Sequence, residues 1–244
     1  MNKINSLNTT DLAEKLPEDF CADPANAWTF PKAFYTSAQV YEHEKEQIFA
    51  KSWICVAHGS ELANSNDYIT RKVIDENIVI IRGKDQVLRA FYNVCPHRGH
   101  ELLSGSGKAK NVITCPYHAW TFKLDGSLAL ARNCDHVENF DKENSSMVPL
   151  KVEEYAGFVF INMDENATCV EDQLPGFAAK LAEACTVVKD LKLAARFVTE
   201  TPANWKVIVD NYLECYHCGT AHPGFADSVQ VDKYWHTTHQ NWTL

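Results

Sequence analysis

The sequence predicts an α+β chain, in which a small antiparallel β-domain is followed by the beginning of a mixed α/β domain. Three observations carry this. Between Trp53 and Met163, short apolar and β-branched runs alternate with turn residues, the rhythm of half-buried strands. From Thr201 onward the period becomes helical. A length of 244 residues with 45% hydrophobic content allows one large or two modest domains with packed cores.

Residues 1–50 form an N-terminal extension and helix. A short helical stretch is expected at Thr10–Lys15, and prolines at 17, 24 and 31 keep the segment extended along a surface. Ser37 is placed to cap a helix through Ala50, with Val40, Tyr41, Ile48 and Phe49 as its apolar stripe. His43 lies among Glu42, Glu44 and Glu46, which reads as a solvated face.

Residues 51–163 form the β-domain. Strands are expected at Trp53–Ala57, Tyr68–Val73, Ile78–Ile81 and Val87–Tyr92, then at Val112–Thr114, Trp120–Lys123 and Leu128–Ala131, with Tyr155 and Gly157–Met163 closing the domain. The turns between them are marked by Asn64–Asp67, Gly83–Asp85 and Asp125-Gly126. Residues 164–189 read as a connector with a weak helix after Val170, interrupted at Pro175-Gly176. Residues 190–244 begin the second domain, with a strand at Leu191–Glu200 and a helix capped at Thr201-Pro202 that runs to His217.

Net charge is −9, which argues against a nucleic-acid partner and against an anionic membrane surface. The partner expected is a small molecule or a protein. No run approaches the roughly 18 apolar residues of a membrane span, and Met1 to Phe20 lacks the charged-then-apolar order of a signal peptide, so the expected location is cytoplasmic. Nine cysteines, an odd number, fit a reducing compartment better than a disulfide framework.

Within the β-domain two loops share one pattern. Cys95-Pro-His97-Arg-Gly-His is C-x-H, and after seventeen residues Cys115-Pro-Tyr-His118 is C-x-x-H. Two thiolates and two imidazoles suit a [2Fe–2S] cluster with cysteines on one iron and histidines on the other. A structural zinc site is the alternative, because Cys2His2 is also a zinc set. Zinc ligands, however, usually come as C-x-x-C or H-x₃₋₅-H pairs, whereas here each loop supplies one ligand of each kind. The prolines after each cysteine and Gly99 are turn formers that let backbone N–H groups face the sulfurs.

These loops resemble those of Rieske non-haem iron oxygenase alpha subunits. Respiratory Rieske proteins carry an extra, disulfide-bonded cysteine in each loop, and this chain has His100 and Tyr117 there. That absence favours the lower-potential oxygenase type, in a class spanning about −150 to +300 mV.

The helix predicted from Asn204 carries a second constellation. Asp210, Glu214 and His217 are spaced i, i+4, i+7, which places them on one face, and Val207, Ile208, Val209, Tyr212, Leu213 and Tyr216 predict that the helix is largely buried. His217 and His222 supply two legs of a 2-His-1-carboxylate site for Fe(II), provided Gly219 and Pro223 break the helix between them. The resemblance assigns both as ligands of mononuclear iron, and Glu214 as the acid bridging a neighbouring subunit's cluster to that iron. Asp210 is a weaker candidate for catalysis. Cys215 and Cys218 form a C-x-x-C, for which a zinc knuckle is the alternative use.

Glu214, where most of the family has Asp, and the run Asp210 to Cys218 resemble the members that act on quaternary ammonium compounds. The resemblance implies a helix-grip-like catalytic domain and a head-to-tail homotrimer. It implies an oxygenase component that hydroxylates a substrate such as carnitine with O₂, giving trimethylamine and an aldehyde. Electrons would come from an NAD(P)H-dependent flavin and iron–sulfur reductase. The family's carboxylate ligand lies about a hundred residues beyond the histidine pair, so the sequence reads as C-terminally truncated and inactive by itself. A Rieske electron carrier without oxygenase activity is the competing class, and an aromatic substrate the competing chemistry.

Overall fold

The computed structural model describes residues 25, 26, 29–134 and 136–233. The helix expected at Thr10–Lys15 lies outside the described residues. The chain divides into two compact units, one of Ile48–Arg196 and one that joins the segment up to Gln47 with the segment from Phe197.

In the Ile48–Arg196 unit ten strands alternate with turns. They are β1 (Ile54–His58), β2 (Asp67–Val73), β3 (Glu76–Arg82), β4 (Leu88–Tyr92), β5 (Ser106–Lys108), β6 (Val112–Thr114), β7 (Thr121–Lys123), β8 (Leu128–Leu130), β9 (Pro149–Tyr155) and β10 (Phe158–Asn162). Seven form one antiparallel sheet in the order β1-β10-β9-β4-β3-β2-β5, and β6-β7-β8 form a second. Tight turns make this possible: Gly126 sits at φ 88° in the β7–β8 hairpin, and a Cβ there would meet the Phe91 ring at 2.4 Å.

One face of the larger sheet buries Ile69, Ile78, Ile80, Val159 and Ile161. Its other core holds Val79, Ile81 and Phe91 with Ile113, Trp120 and Phe122 of the β6–β8 segment. Cys95 and Cys115 belong to this second core. Burying a side chain such as Phe122 stabilises the unit by about 1.5–3 kcal/mol, so the loop cysteines are anchored by packing before any ligand is considered.

Two strands depart from expectation. β5 is a glycine-containing edge with no apolar signal, and β9 carries Pro149 and two glutamates that hide its alternation. Those glutamates are used locally: Glu153 Oε2 accepts the Val170 N–H at 2.9 Å, and Glu154 pairs with Arg82 at 2.6 Å. Pro175-Gly176 separates α3 (Val170–Gln173) from α4 (Phe177–Ala184). Leu191–Glu200 is not a strand. It runs exposed and unladdered, held where Leu193 N–H reaches Ser60 Oγ at 3.4 Å and Arg196 pairs with Glu61.

In the other unit, α1 (Lys32–Thr36) and α2 (Ala38–Gln47) are followed in space by α5 (Trp205–Tyr212), α6 (Cys218–Ala221) and α7 (Pro223–Ala226). Glu44 is not solvated. It is buried, paired with Lys206 Nζ at 2.5 Å, and accepts the Trp205 indole N–H at 2.8 Å. Asn204, rather than Thr201, caps α5 by accepting the Lys206 N–H at 3.0 Å. α5 also stops at Tyr212, five residues short of His217, and its apolar side chains are exposed, Tyr212 by 83%. The contact with α2 buries Lys206 and partly covers Trp205, and leaves Val207, Ile208, Val209 and Tyr212 exposed. No helix among the described residues is long and apolar enough to cross a membrane.

Candidate metal centres

The two cluster loops are built alike. In the first, Cys95 N–H donates to His100 O at 2.8 Å and Gly99 N–H to Cys95 O at 2.9 Å. In the second, Cys115 N–H donates to Trp120 O at 2.8 Å and Ala119 N–H to Cys115 O at 3.0 Å. Both loops turn through a left-handed residue, Gly99 at φ 70° and Ala119 at φ 56°. An alanine there carries strain that glycine does not. The base of the first loop is fixed by buried Asn93, whose side chain exchanges hydrogen bonds with the backbone of Leu103 at 2.6 and 3.0 Å.

This construction brings the four predicted ligand side chains to one end of the domain. The thiols of Cys95 and Cys115 are 1% and 2% exposed, while His97 and His118 are half-buried. The two imidazole rings lie 4.8 Å apart, and His97 stacks on the Trp120 indole at 4.7 Å and 5°. Trp120, Asn93 and Ala119 had no signature in the sequence beyond an ordinary strand end or turn.

The donor set fits a Rieske cluster. Burial pushes the Cys95 thiol up, and neighbouring Cys115 adds to the effect, so two adjacent thiolates at this depth need a cation to offset them. His97 is held down by desolvation, then by His118 and Arg98, which keeps the ring neutral, the form that binds metal. Among the described residues no three such side chains converge on one point, and a [2Fe–2S] cluster asks for only two protein ligands on each iron.

The second constellation is arranged differently from the expected helical face. Because α5 ends at Tyr212, Glu214 and His217 lie in the turn before α6, and His222 follows α6. The turn still unites them: Glu214 Oε1 pairs with His217 Nδ1, and the rings of His217 and His222 are 5.2 Å apart at 78°. The bond to His217 is the main reason the Glu214 carboxyl sits below its ordinary range. Glu214, His217 and His222 line an open cavity of about 1030 Å³ with Asn211, Leu213 and Phe225. Asp210 is not among its lining residues; its Oδ2 accepts the Tyr35 hydroxyl at 3.0 Å.

Comparison with known proteins places both regions. Residues 52–141 match the Rieske [2Fe-2S] domain, and residues 188–242 match the catalytic domain of ring hydroxylating alpha subunits. The chain belongs to the Rieske-type ring-hydroxylating oxygenase alpha subunits. The matching domains carry a Rieske cluster and a mononuclear iron. The carnitine monooxygenase oxygenase subunit of Acinetobacter pittii (strain PHEA-2) is 91% identical over 231 residues, covering 95% of this chain and 62% of that protein. A quaternary ammonium Rieske monooxygenase solved with its substrate L-carnitine superposes with TM-score 0.90 at 91% identity, over 94% of this chain and 65% of the other. Another such structure, described for carnitine oxidation and inter-subunit electron transfer, superposes with TM-score 0.91 at 90% identity, over 95% and 63%. This chain therefore spans less than two thirds of the length of these relatives.

Proposed function

We propose that this chain works in the oxygenase component of a two-component Rieske monooxygenase, which hydroxylates a quaternary ammonium compound such as carnitine beside its nitrogen and so releases trimethylamine and an aldehyde. The observation that carries the reading is the combination of two matched C/H loops and a paired-histidine turn in one chain 91% identical to a carnitine monooxygenase subunit. The cluster supplies electrons singly, and the mononuclear iron supplies the site at which O₂ is activated.

The buried thiols of Cys95 and Cys115 would hold one iron of the cluster, and the half-buried rings of His97 and His118 the other. Trp120 supports His97 through its stacked indole. His217 and His222 hold the mononuclear iron, and Glu214 keeps His217 oriented through Nδ1. In a head-to-tail homotrimer, Glu214 also accepts a charge-assisted hydrogen bond from a neighbouring subunit's cluster histidine, and thereby joins the two centres across the interface. The electron donor is an NAD(P)H-dependent flavin and iron–sulfur reductase, and the protein is cytoplasmic.

The test is trimethylamine release by the protein at its full native length, supplied with that reductase, NADH, O₂ and carnitine. Release that depends on all four, and that Glu214→Gln suppresses while both metals remain bound, is the expected result. Reduction of the cluster with no turnover of any quaternary ammonium compound contradicts the reading.

A further inference from the structure

We infer that Cys215 and Cys218 are a reversible redox pair that sets how firmly the histidine turn is held. In the structure the two sulfurs are joined, with Cα atoms 5.0 Å apart, while the other six described cysteines are free. The ring this bond closes contains Tyr216 and His217 and is crossed by Cys218 N–H donating to Cys215 O at 3.0 Å. Both candidate iron ligands depend on it. His217 lies inside the ring, and His222 N–H donates to Cys218 O at 2.9 Å. Glu214 directly precedes the ring and accepts the Tyr216 N–H at 2.5 Å, besides pairing with His217.

Without the sulfur bond, this segment is held by little else. α6 and α7 are four residues each, and Tyr216, Gly219 and Thr220 are exposed. A covalent tie across so short a turn removes most of its freedom to open. Disulfides of reducing compartments are usually transient and redox-sensing, and here the half-buried Cys215 gives a small thiol access to the bond while Cys218 is shielded. The oxidant is a low-molecular-weight disulfide of the glutathione class. Closure transfers two electrons and two protons from the protein thiols to it, giving one protein disulfide and two small thiols. Two small thiols reopen the pair by the reverse exchange.

The pairing stands on the geometry of the turn; its consequence for iron rests on the functional reading above. The experiment separates them. The protein is incubated with oxidised or with reduced glutathione, denatured in iodoacetamide without further reductant, and cut with trypsin. The peptide Val207–Lys233 contains these two cysteines and no others. It should be unlabelled and lighter by two hydrogens after oxidised glutathione, and doubly labelled after reduced glutathione. Double labelling in both states, or a stable glutathione adduct, overturns the pairing.

Retention of mononuclear Fe(II) against a ferrous chelator is measured on the same samples. It should be about tenfold weaker in the dithiol state, at the lower end of what loss of ligand support costs. Cys215→Ser/Cys218→Ser should match the dithiol state under both treatments. Equal retention in both states overturns the coupling. Absence of mononuclear iron in both states overturns it too and separately contradicts the functional reading, while the label count still decides the pairing.

Discussion

The loops at Cys95 and Cys115 and the turn at His217 are both short ligand-bearing segments, but the chain secures them by different means. The loops grow out of strands, their thiols are part of a closed hydrophobic core, and matching backbone bonds repeat in each. The turn begins where α5 ends, among exposed Tyr212 and Tyr216, and is held by one carboxylate, short helical turns and a sulfur bond. A site inside a core is preorganised by packing; a site at a helix end is only as ordered as its local ties. The difference suits the two tasks. Under the proposed function, a cluster that passes electrons gains from rigidity, whereas an iron that admits substrate and O₂ needs an open wall, and the turn lines an open cavity of about 1030 Å³.

The sharpest way to break this comparison is Cys115→Ser. It should remove the cluster absorbance completely and lower the thermal midpoint of the Ile48–Arg196 unit, because ligand binding and folding are coupled in so small a core. His222→Ala should leave that absorbance and midpoint unchanged. Equal damage to the visible spectrum from the two variants would show that the sites are not independently secured.

Next in size is Lys206→Met. It leaves Glu44 buried without its cation and should cost the α2–α5 pairing about 3 kcal/mol, read from hydrogen exchange of the α5 amides. The double variant Glu44→Leu/Lys206→Met should recover most of that loss. The cluster loops should not respond to either.

A smaller effect sharpens the likeness of the two loops. Ala119→Gly relieves a left-handed alanine at the position where the first loop already has Gly99, and should stabilise the β-unit by about 1 kcal/mol in urea melts. A loss of stability would mean that the alanine methyl packs more than it strains.

The smallest effect is one of acid pH. The Arg89 guanidinium beside Asp85 holds that exposed carboxyl down at about 2, below its ordinary 3.8. A carboxyl lowered by folding contributes stability above its unfolded value and loses it as pH falls through the folded one. Asp85→Asn should therefore lower stability slightly and evenly at neutral pH and flatten its decline between pH 4 and pH 2, so that the two proteins converge in acid, as followed by urea melts across pH monitored by far-ultraviolet circular dichroism. An unchanged acid limb would mean that the ion pair does not form in solution.

The sequence made most of the β-unit legible because its strands are apolar and its turns carry glycine, asparagine and aspartate. β5 and β9 were missed where an edge strand needs no apolar face and where glutamates serve as caps and partners. The four loop residues stand out as a candidate ligand set because residue type and spacing alone specify one, and the structure brings them to one end of the domain. Their supports, Trp120, Asn93 and Ala119, were not, since a stacked indole, a buried amide and a strained alanine have no periodic signature. In the other unit, helical spacing overextended α5: no local residue between Tyr212 and His217 marks the stop, and the turn is fixed by Glu214 and the Cys215–Cys218 pair. Glu44 was read as solvated because a charged residue gives no sign of a partner more than 150 positions away.

On the proposed function, one chain holds two iron centres by separate means, one packed into a core and one tied at a helix end. Iron content and visible spectrum of the purified protein, before and after dialysis against a ferrous chelator, test it most directly. Two irons per chain and the whole visible spectrum should survive dialysis, as a buried [2Fe–2S] cluster requires, while a third iron is lost. Colour and all iron leaving together, or a colourless protein with one zinc per chain, would contradict it.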